Sequence, residues 1–368
     1  MASIVTPYTA LHALIVDDMA VQQTTLRGQL ASLGIGKVDA VGNAEDAIRQ
    51  IRAKHFQLIL CDYNLGGRTD GQQLLEHLRE EDLLPADCLF FMITAEGSYA
   101  SVAAATEHKP DAYLLKPITA ADIGDRLRQL LDRRQALLQV TSRLHKHDLE
   151  GAVTACDELL AKRDRWTMHL LQLKGQTLLA LGRPEDAKGV YRQALDLRAD
   201  LVWAQLGLAR AHKAAGQFEQ AKSLAQDLIQ STQGQKHVAA YDVLAESMEA
   251  LGDPVGALWV LKDAAEVVPS GRRHRLVGES AYRNGDLETA KESLQRVTRL
   301  TGQSVMAQTN DHLMLAQTLV DRGEHAEALK VLSAPAFSSR IGAAAQDPAT
   351  HAIRAQAQAA SEIGRAHV

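Results

Sequence analysis

Ala13-Leu14-Ile15-Val16-Asp17-Asp18 runs apolar for four residues and then turns abruptly to two carboxylates. A short apolar run of this kind, too brief for a buried helix, reads as a buried parallel strand that stops at a polar edge. The same grammar recurs in Leu58-Ile59-Leu60-Cys61 before Asp62, and in Leu89-Phe90-Phe91-Met92-Ile93 before Thr94. Between these runs lie helical patterns, Ala20 to Leu33 and Asp46 to Ala53 among them. Strand and helix alternate about five times within about 120 residues, which predicts an α/β doubly wound (βα)5 flavodoxin-like sheet. In such a sheet the ligand site lies outside the carboxyl ends of the strands, where all these polar residues fall.

Residue chemistry narrows the site. Carboxylates converging on one pocket repel by about 4 kcal/mol per pair at about 4 Å and an effective dielectric of about 20, so a cation belongs among them. Hard oxygen ligands select Mg²⁺ or Mn²⁺, and Mg²⁺ leaves coordination positions for water and phosphate oxygens. A carboxylate such as Asp62 can act as nucleophile toward a phosphoryl group and form an acyl phosphate. An ammonium such as Lys116 neutralises the transferring oxygens, and a hydroxyl such as that of Thr94 adds a hydrogen bond to them.

With these residues in this order, positions 11–133 resemble the receiver domain of bacterial two-component response regulators. The resemblance implies that Asp17 and Asp18 form the acidic pair and Asp62 is the phosphoacceptor for a histidine kinase. Thr94 and Tyr113 would be the switch residues, and Lys116 the phosphate-binding lysine, followed by a cis bond to Pro117. It further implies Mg²⁺ held directly by Asp18, Asp62 and the backbone carbonyl of Asn64, with Asp17 acting through water. Asn64 and Glu96 occupy positions that tune phosphoryl lifetime in receivers. One stretch departs from the family pattern: Asp70-Gly71 comes eight residues after Asp62 rather than seven, and Gly66-Gly67 stands where a proline is usual. Glycine widens the accessible backbone, so a more mobile loop is expected over an otherwise competent site.

The rest of the chain is periodic. Turn signatures end on Ala152, Ala187, Ala221, Ala257, Ala290 and Ala328, at spacings of 35, 34, 36, 33 and 38 residues. Twelve residues before the last five of these stand Gly175, Ala209, Ala245, Gly278 and Ala316, small enough to let paired helices approach closely. Pro184 and Pro254 open second helices, where a missing N–H costs nothing. A period near 34 with this pattern resembles the tetratricopeptide repeat, an all-α helical-repeat solenoid. Tyr191 and Pro269 also match, whereas the large aromatic of the first helix is mostly absent. The organisation expected is a tail at 1–10, the receiver at 11–133, repeats at 134–334, a helical stretch at 335–362 and a non-native tail at 363–368. That last hexapeptide can be encoded by a common sequencing adapter, so a longer native chain is expected.

Aromatic residues make up only 4% of the chain, so packing rests on Ala and Leu, and the net charge of −5 with no basic stripe argues against a nucleic-acid partner. No apolar run reaches the length of a membrane span and no signal peptide opens the chain, so a cytoplasmic protein is expected. Cys61, Cys88 and Cys156 lack metal-ligand spacing and read as reduced thiols. Trp166, Trp203 and Trp259 read as repeat packing, and no separate output enzyme is recognisable.

Between Ala120 and Leu144 the helical pattern continues with no glycine or proline after Gly124, so the last receiver helix is expected to run into the first repeat helix. The function expected is a response regulator that accepts a phosphoryl group on Asp62 and thereby controls binding of a protein or peptide to the repeats. A second reading is a phosphate sink whose repeats dock the kinase. Placing the first helix of each repeat toward a groove puts Gln172, Gln176, Arg210, Lys213, Asp242, Glu246, Arg275, Glu279 and Arg283 there.

Overall fold

The computed structural model describes residues 8–85, 87–95, 109–162, 164–231, 234, 237–301, 308–333 and 348–366, with side chains through 359. Strands β1 (His12–Val16), β2 (Lys37–Val41), β3 (Leu58–Asp62), β4 (Leu89–Thr94) and β5 (Ala112–Leu115) form one parallel sheet in the order β2-β1-β3-β4-β5. Helices α1 (Ala20–Ser32), α2 (Ala44–Ala53) and α3 (Gly71–Glu80) alternate with the strands. Side chains alternate across a strand. Thus Ala13, Ile15, Leu58, Leu60, Phe91 and Ile93 face Leu26 and Leu30 of α1 and Ile123, Leu127 and Leu130 of the helix after β5. The alternate residues Leu14, Ile59, Phe90 and Met92 are just as buried, and α2 and α3 pack on β1 and β4. Helix α2 begins two residues before the sequence pattern suggests, because the Asn43 side chain accepts from the Asp46 N–H at 2.8 Å and caps it.

After β5 the chain enters α4 (Ala120–His145), a single helix of 26 residues capped by Thr119 and Asp122. Its first half belongs to the sheet core just described. In its second half, Leu137 and Val140 pack with Ala152, Ala155 and Cys156 of α5 (Leu149–Leu160) and Leu170 of α6 (Thr167–Ala180). Arg134 ties the middle of α4 to the α/β domain, donating to the Asp87 carbonyl at 2.8 Å. Helices α7 (Pro184–Leu197), α8 (Val202–Ala214), α9 (Phe218–Gln230) and α10 (Val238–Ala250) follow.

The chain divides into two compact units, Met1–Ser247 and Met248–Val368, and the division falls inside α10. The second unit holds α11 (Pro254–Val267), α12 (Gly271–Arg283), α13 (Leu287–Thr301), α14 (Thr309–Asp321), α15 (His325–Ser333) and α16 (Pro348–Ala366). Each of α12 to α16 packs on its predecessor, and α16 also touches α14. The fold is therefore a doubly wound α/β domain followed by helical repeats.

All six turns anticipated from the period take a left-handed residue: His147 (φ 56°), Gly182 (69°), Gly216 (74°), Gly252 (85°), Gly285 (75°) and Gly323 (78°). That conformation lets the chain reverse directly after a first helix, and it explains why glycine recurs there. Close approach explains other glycines. Tyr191 on α7 is wedged between α6 and α8: a β-carbon on Gly175 would lie 2.6 Å from its Cζ, and one on Gly207 2.5 Å. Trp203 closes this cluster edge-on to Tyr191 at 6.3 Å. Trp259 departs from the packing expected of it and is 64% exposed, because it lies on the outer side of α11 beside Val255.

Candidate functional site

Strand register assembles the site. Val16 lies opposite Cys61, Asp62 opposite Ile93, and Thr94 opposite Leu115. The next residue along β1 is Asp17 and the next after β5 is Lys116, so four polar groups emerge at one edge of the sheet. The Lys116 ammonium donates to Asp62 Oδ2 at 2.7 Å and stands 3.7 Å from Asp17 Oδ2. Asp17, Asp18 and Asp62 each present a carboxylate oxygen within 4.8 Å of the others. Asp17 and Asp62 are buried and Asp18 is exposed. The Lys116-Pro117 peptide bond is cis, as expected.

One lysine does not satisfy this arrangement. Asp17 Oδ1 accepts from the Met19 N–H at 2.8 Å, but Asp17 Oδ2 is buried and makes no hydrogen bond among the described residues. Burial pushes the Asp17 carboxyl above its usual range; the Met19 N–H and Lys116 oppose the shift, while the charges of Asp62 and Asp18 add to it. An orphaned buried oxygen among hard oxygen donors fits a small divalent cation.

Supporting residues complete the site, and one of them, Gln23, carries no signal in the linear pattern. Gln23 Nε2 donates to the carbonyl of Asp17 at 2.7 Å and of Val41 at 3.3 Å, pinning the turn after β1 to the end of β2. Gly71 begins α3 against β3, with no room for a β-carbon between Met92 Sδ and Cys61 Sγ. Asp70 caps α3 in a reciprocal pair with Gln73. Gly66, expected only to loosen its loop, has a steric reason instead. Its φ is 62°, and a β-carbon there would collide with the Asp18 carboxylate.

Thr94 is 2% exposed at the end of β4. The Tyr113 hydroxyl is buried on β5 without a hydrogen bond among the described residues, and burial, reinforced by Tyr63, raises its pKa. Asn64 is exposed two residues beyond Asp62. Glu96 lies outside the described residues.

Of the residues expected to line a groove, Lys213, Glu246, Arg275 and Arg283 are in ion pairs. In the first unit Lys213 pairs with Glu246, Gln172 and Asp242 are half-buried, and Gln176 and Arg210 are exposed. In the second, Arg275 grips the buried carboxylate of Asp311 with two nitrogens, one at 2.8 Å, and Arg283 pairs with Glu249 at 2.8 Å, while Glu279 is half-buried.

Comparison with known families agrees with this geometry. The response regulator receiver domain model matches residues 13–128, and tetratricopeptide repeat models match 178–241 and 312–333. The chain joins a response-regulator receiver to tetratricopeptide repeats. The receiver is 28% identical over 124 residues to the chemotaxis protein CheY-3 of Vibrio cholerae, covering 33% of this chain and 93% of that protein. It is 25% identical over 123 residues to the chemotaxis protein CheY of Pseudomonas aeruginosa, covering 33% and 98%. Among solved structures, a tetratricopeptide-repeat protein of Thermus thermophilus is 25% identical, with 52% of this chain and 98% of that chain covered and a TM-score of 0.35. One from Parabacteroides merdae is 15% identical, with 62% and 87% covered and a TM-score of 0.43. The pairing of a receiver with repeats supports a response regulator with protein-interaction repeats. Among the described residues no helix is long and apolar enough to cross a membrane.

Proposed function

We propose that Asp62 accepts a phosphoryl group from a histidine kinase and that this event controls binding of a protein partner to the repeats. The observation that carries the reading is the Lys116 ammonium, 2.7 Å from Asp62 Oδ2 and beside the buried, incompletely satisfied Asp17. In the transfer, the N–P bond of a phosphohistidine breaks as an O–P bond to Asp62 forms, and the imidazole leaves without the phosphoryl group. Lys116 is placed to neutralise the incoming oxygens, and the Thr94 hydroxyl to donate to one of them. Asp17, Asp18 and Asp62, with the Asn64 carbonyl, would hold Mg²⁺, which supplies further neutralisation of the phosphoryl oxygens.

Transmission follows from α4. One helix is packed into the receiver core through Ile123, Leu127 and Leu130 and into the first repeat through Leu137 and Val140. Inward movement of Thr94 and Tyr113 on phosphorylation disturbs the ends of β4 and of β5, the strand on which α4 packs, and a continuous helix carries rotation where a flexible tether would lose it. A complete population inversion needs about 5.5 kcal/mol of differential stabilisation, so a graded response is expected.

The test is treatment of the purified chain with Mg²⁺ and beryllofluoride or acetyl phosphate, read by intact mass and hydrogen exchange, with Asp62→Ala as control. Modification at Asp62 together with altered exchange across the repeats is the expected outcome. Modification confined to the receiver, with rapid loss of phosphate, favours a phosphate sink whose repeats dock the kinase. Absence of modification defeats both.

A further inference from the structure

In the second unit several charged side chains are consumed by ion pairs: across repeats, Lys291 with Glu324, Arg322 with Glu288, Arg283 with Glu249 and Arg275 with Asp311, and within one turn, Arg322 with Glu324. One cavity stands apart. Between α11, α12 and α13 lies a space of about 420 Å³ whose wall carries Arg296, Glu266 and Glu292. Among the described residues none of these three makes an ion pair or a side-chain hydrogen bond. Cationic and anionic groups thus line the same cavity without neutralising one another, so each keeps its charge for an outside partner.

The approach to the cavity is apolar. Val255 and Trp259, 60% and 64% exposed, lie four residues apart on α11, and Lys262 and Glu266 continue the same stripe to the cavity wall. Lys262 lies 5.1 Å from the Trp259 ring, donates to Thr289 Oγ1 at 3.1 Å and stands 3.9 Å from Asp286 Oδ2, which together fix the ammonium at the junction between the aromatic platform and the charged space. His274 sits deeper. Burial, then the Arg296 charge, holds its imidazole below the usual range, so it is uncharged at neutral pH and can donate or accept one hydrogen bond. A purely anionic ligand would meet Glu266 and Glu292, and a purely cationic one would meet Arg296 and Lys262. A chain bearing both signs satisfies the whole wall.

We propose that this cavity is a peptide-binding site that takes a short extended segment of a partner protein, with an acidic and a basic side chain close together and an apolar residue beside them on Trp259. A volume of this size suits a few side chains rather than a folded surface. The site rests on the reading of the repeats as a protein-binding domain and is independent of Asp62 chemistry.

An array of capped heptapeptides with acidic, basic and apolar positions permuted, titrated against the full chain by fluorescence anisotropy, tests it. Peptides carrying both signs next to an apolar residue are expected to bind at least about tenfold more tightly than all-acidic, all-basic or uncharged ones. Arg296→Glu and Glu292→Lys should each abolish that preference, Trp259→Ala should weaken binding about tenfold, and the double charge reversal should favour peptides of the opposite charge order. Peptides that bind but ignore these substitutions overturn the site and leave the repeats as peptide binders elsewhere. Equal binding of all-acidic peptides, or no binding by any member, also overturns the site. Modification of Asp62, measured separately, is unaffected by any of these results.

Discussion

Gly66 leaves room for Asp18: a β-carbon at Gly66 would sit 3.2 Å from Asp18 Cγ and collide with its Oδ2. The loop that replaces the family's proline is therefore shaped around a carboxylate of the acidic cluster. Gly66→Ala must either move that carboxylate or abandon a left-handed φ of 62°. Mg²⁺ affinity, measured by calorimetric titration, is expected to fall by about tenfold or more. A modest loss of stability, about 1–2 kcal/mol from the left-handed backbone, would accompany it. Unchanged affinity would show that Asp18 takes no part in holding the ion.

Lys116→Ala removes the ammonium facing both Asp62 and Asp17. Modification of Asp62 by acetyl phosphate, followed by intact mass, should slow by about a hundredfold. Lys116→Arg is not expected to restore it fully, because a planar fork cannot occupy the position of a compact ammonium. Full activity in the alanine variant would remove Lys116 from the chemistry.

Helix α4 should be the mechanical link. Gln135 is an exposed residue in its interior, so Gln135→Pro removes a helical hydrogen bond and kinks the helix at a cost of about 3 kcal/mol. Beryllofluoride should still modify the receiver of this variant, while the accompanying change in hydrogen exchange beyond residue 137 disappears. Persistence of that change would mean that the signal travels by another route.

Tyr191 fills the space that Gly175 and Gly207 leave open. Overpacking a core position costs about 1–3 kcal/mol, so Gly207→Ala should lower the urea midpoint clearly. In a Tyr191→Ala background the same substitution should cost much less. Equal costs in the two backgrounds would show that the clash is relieved without Tyr191.

Acid should loosen the repeats. His169, His212, His237 and His274 are all held below the usual value of 6.5, chiefly by burial. Below that value the unfolded chain binds more protons than the folded one, so their stabilising contribution is complete above it and is lost as pH falls toward the folded values. The melting temperature should drop as pH is lowered from neutrality through the usual histidine value, and His→Gln substitutions at these positions should flatten the profile. A melting temperature that rises on acidification would contradict this account.

Much of the receiver was legible because a buried strand announces itself locally: an apolar run ending in a carboxylate needs no knowledge of what packs on it. The turns of the repeats were legible for a similar reason, since a left-handed residue at each reversal favours glycine, and only His147 breaks the pattern. Gln23 was not legible. Its task is to bridge two carbonyls 24 residues apart in the chain, Asp17 and Val41, and no spacing rule records that. Charge pairing within the groove set was not legible for a related reason. Facing one side of a helix does not reveal whether a charge is already paired, and Lys213, Arg283 and Arg275 find partners 33, 34 and 36 residues away, about one repeat along.

The amino-acid sequence by itself determined the elements, their order and the edge at which Asp17, Asp62, Thr94 and Lys116 meet, because periodicity and strand ends are local consequences of burial. Only the tertiary structure decided which charges are spent and which remain. It left Asp17 Oδ2 without a hydrogen bond, closed Arg275 onto Asp311, exposed Trp259 and kept Arg296, Glu266 and Glu292 apart around one cavity. Those outcomes depend on distances between helices and strands remote in sequence, and Coulombic and steric terms change over an ångström or two, finer than any pattern of residue types can specify.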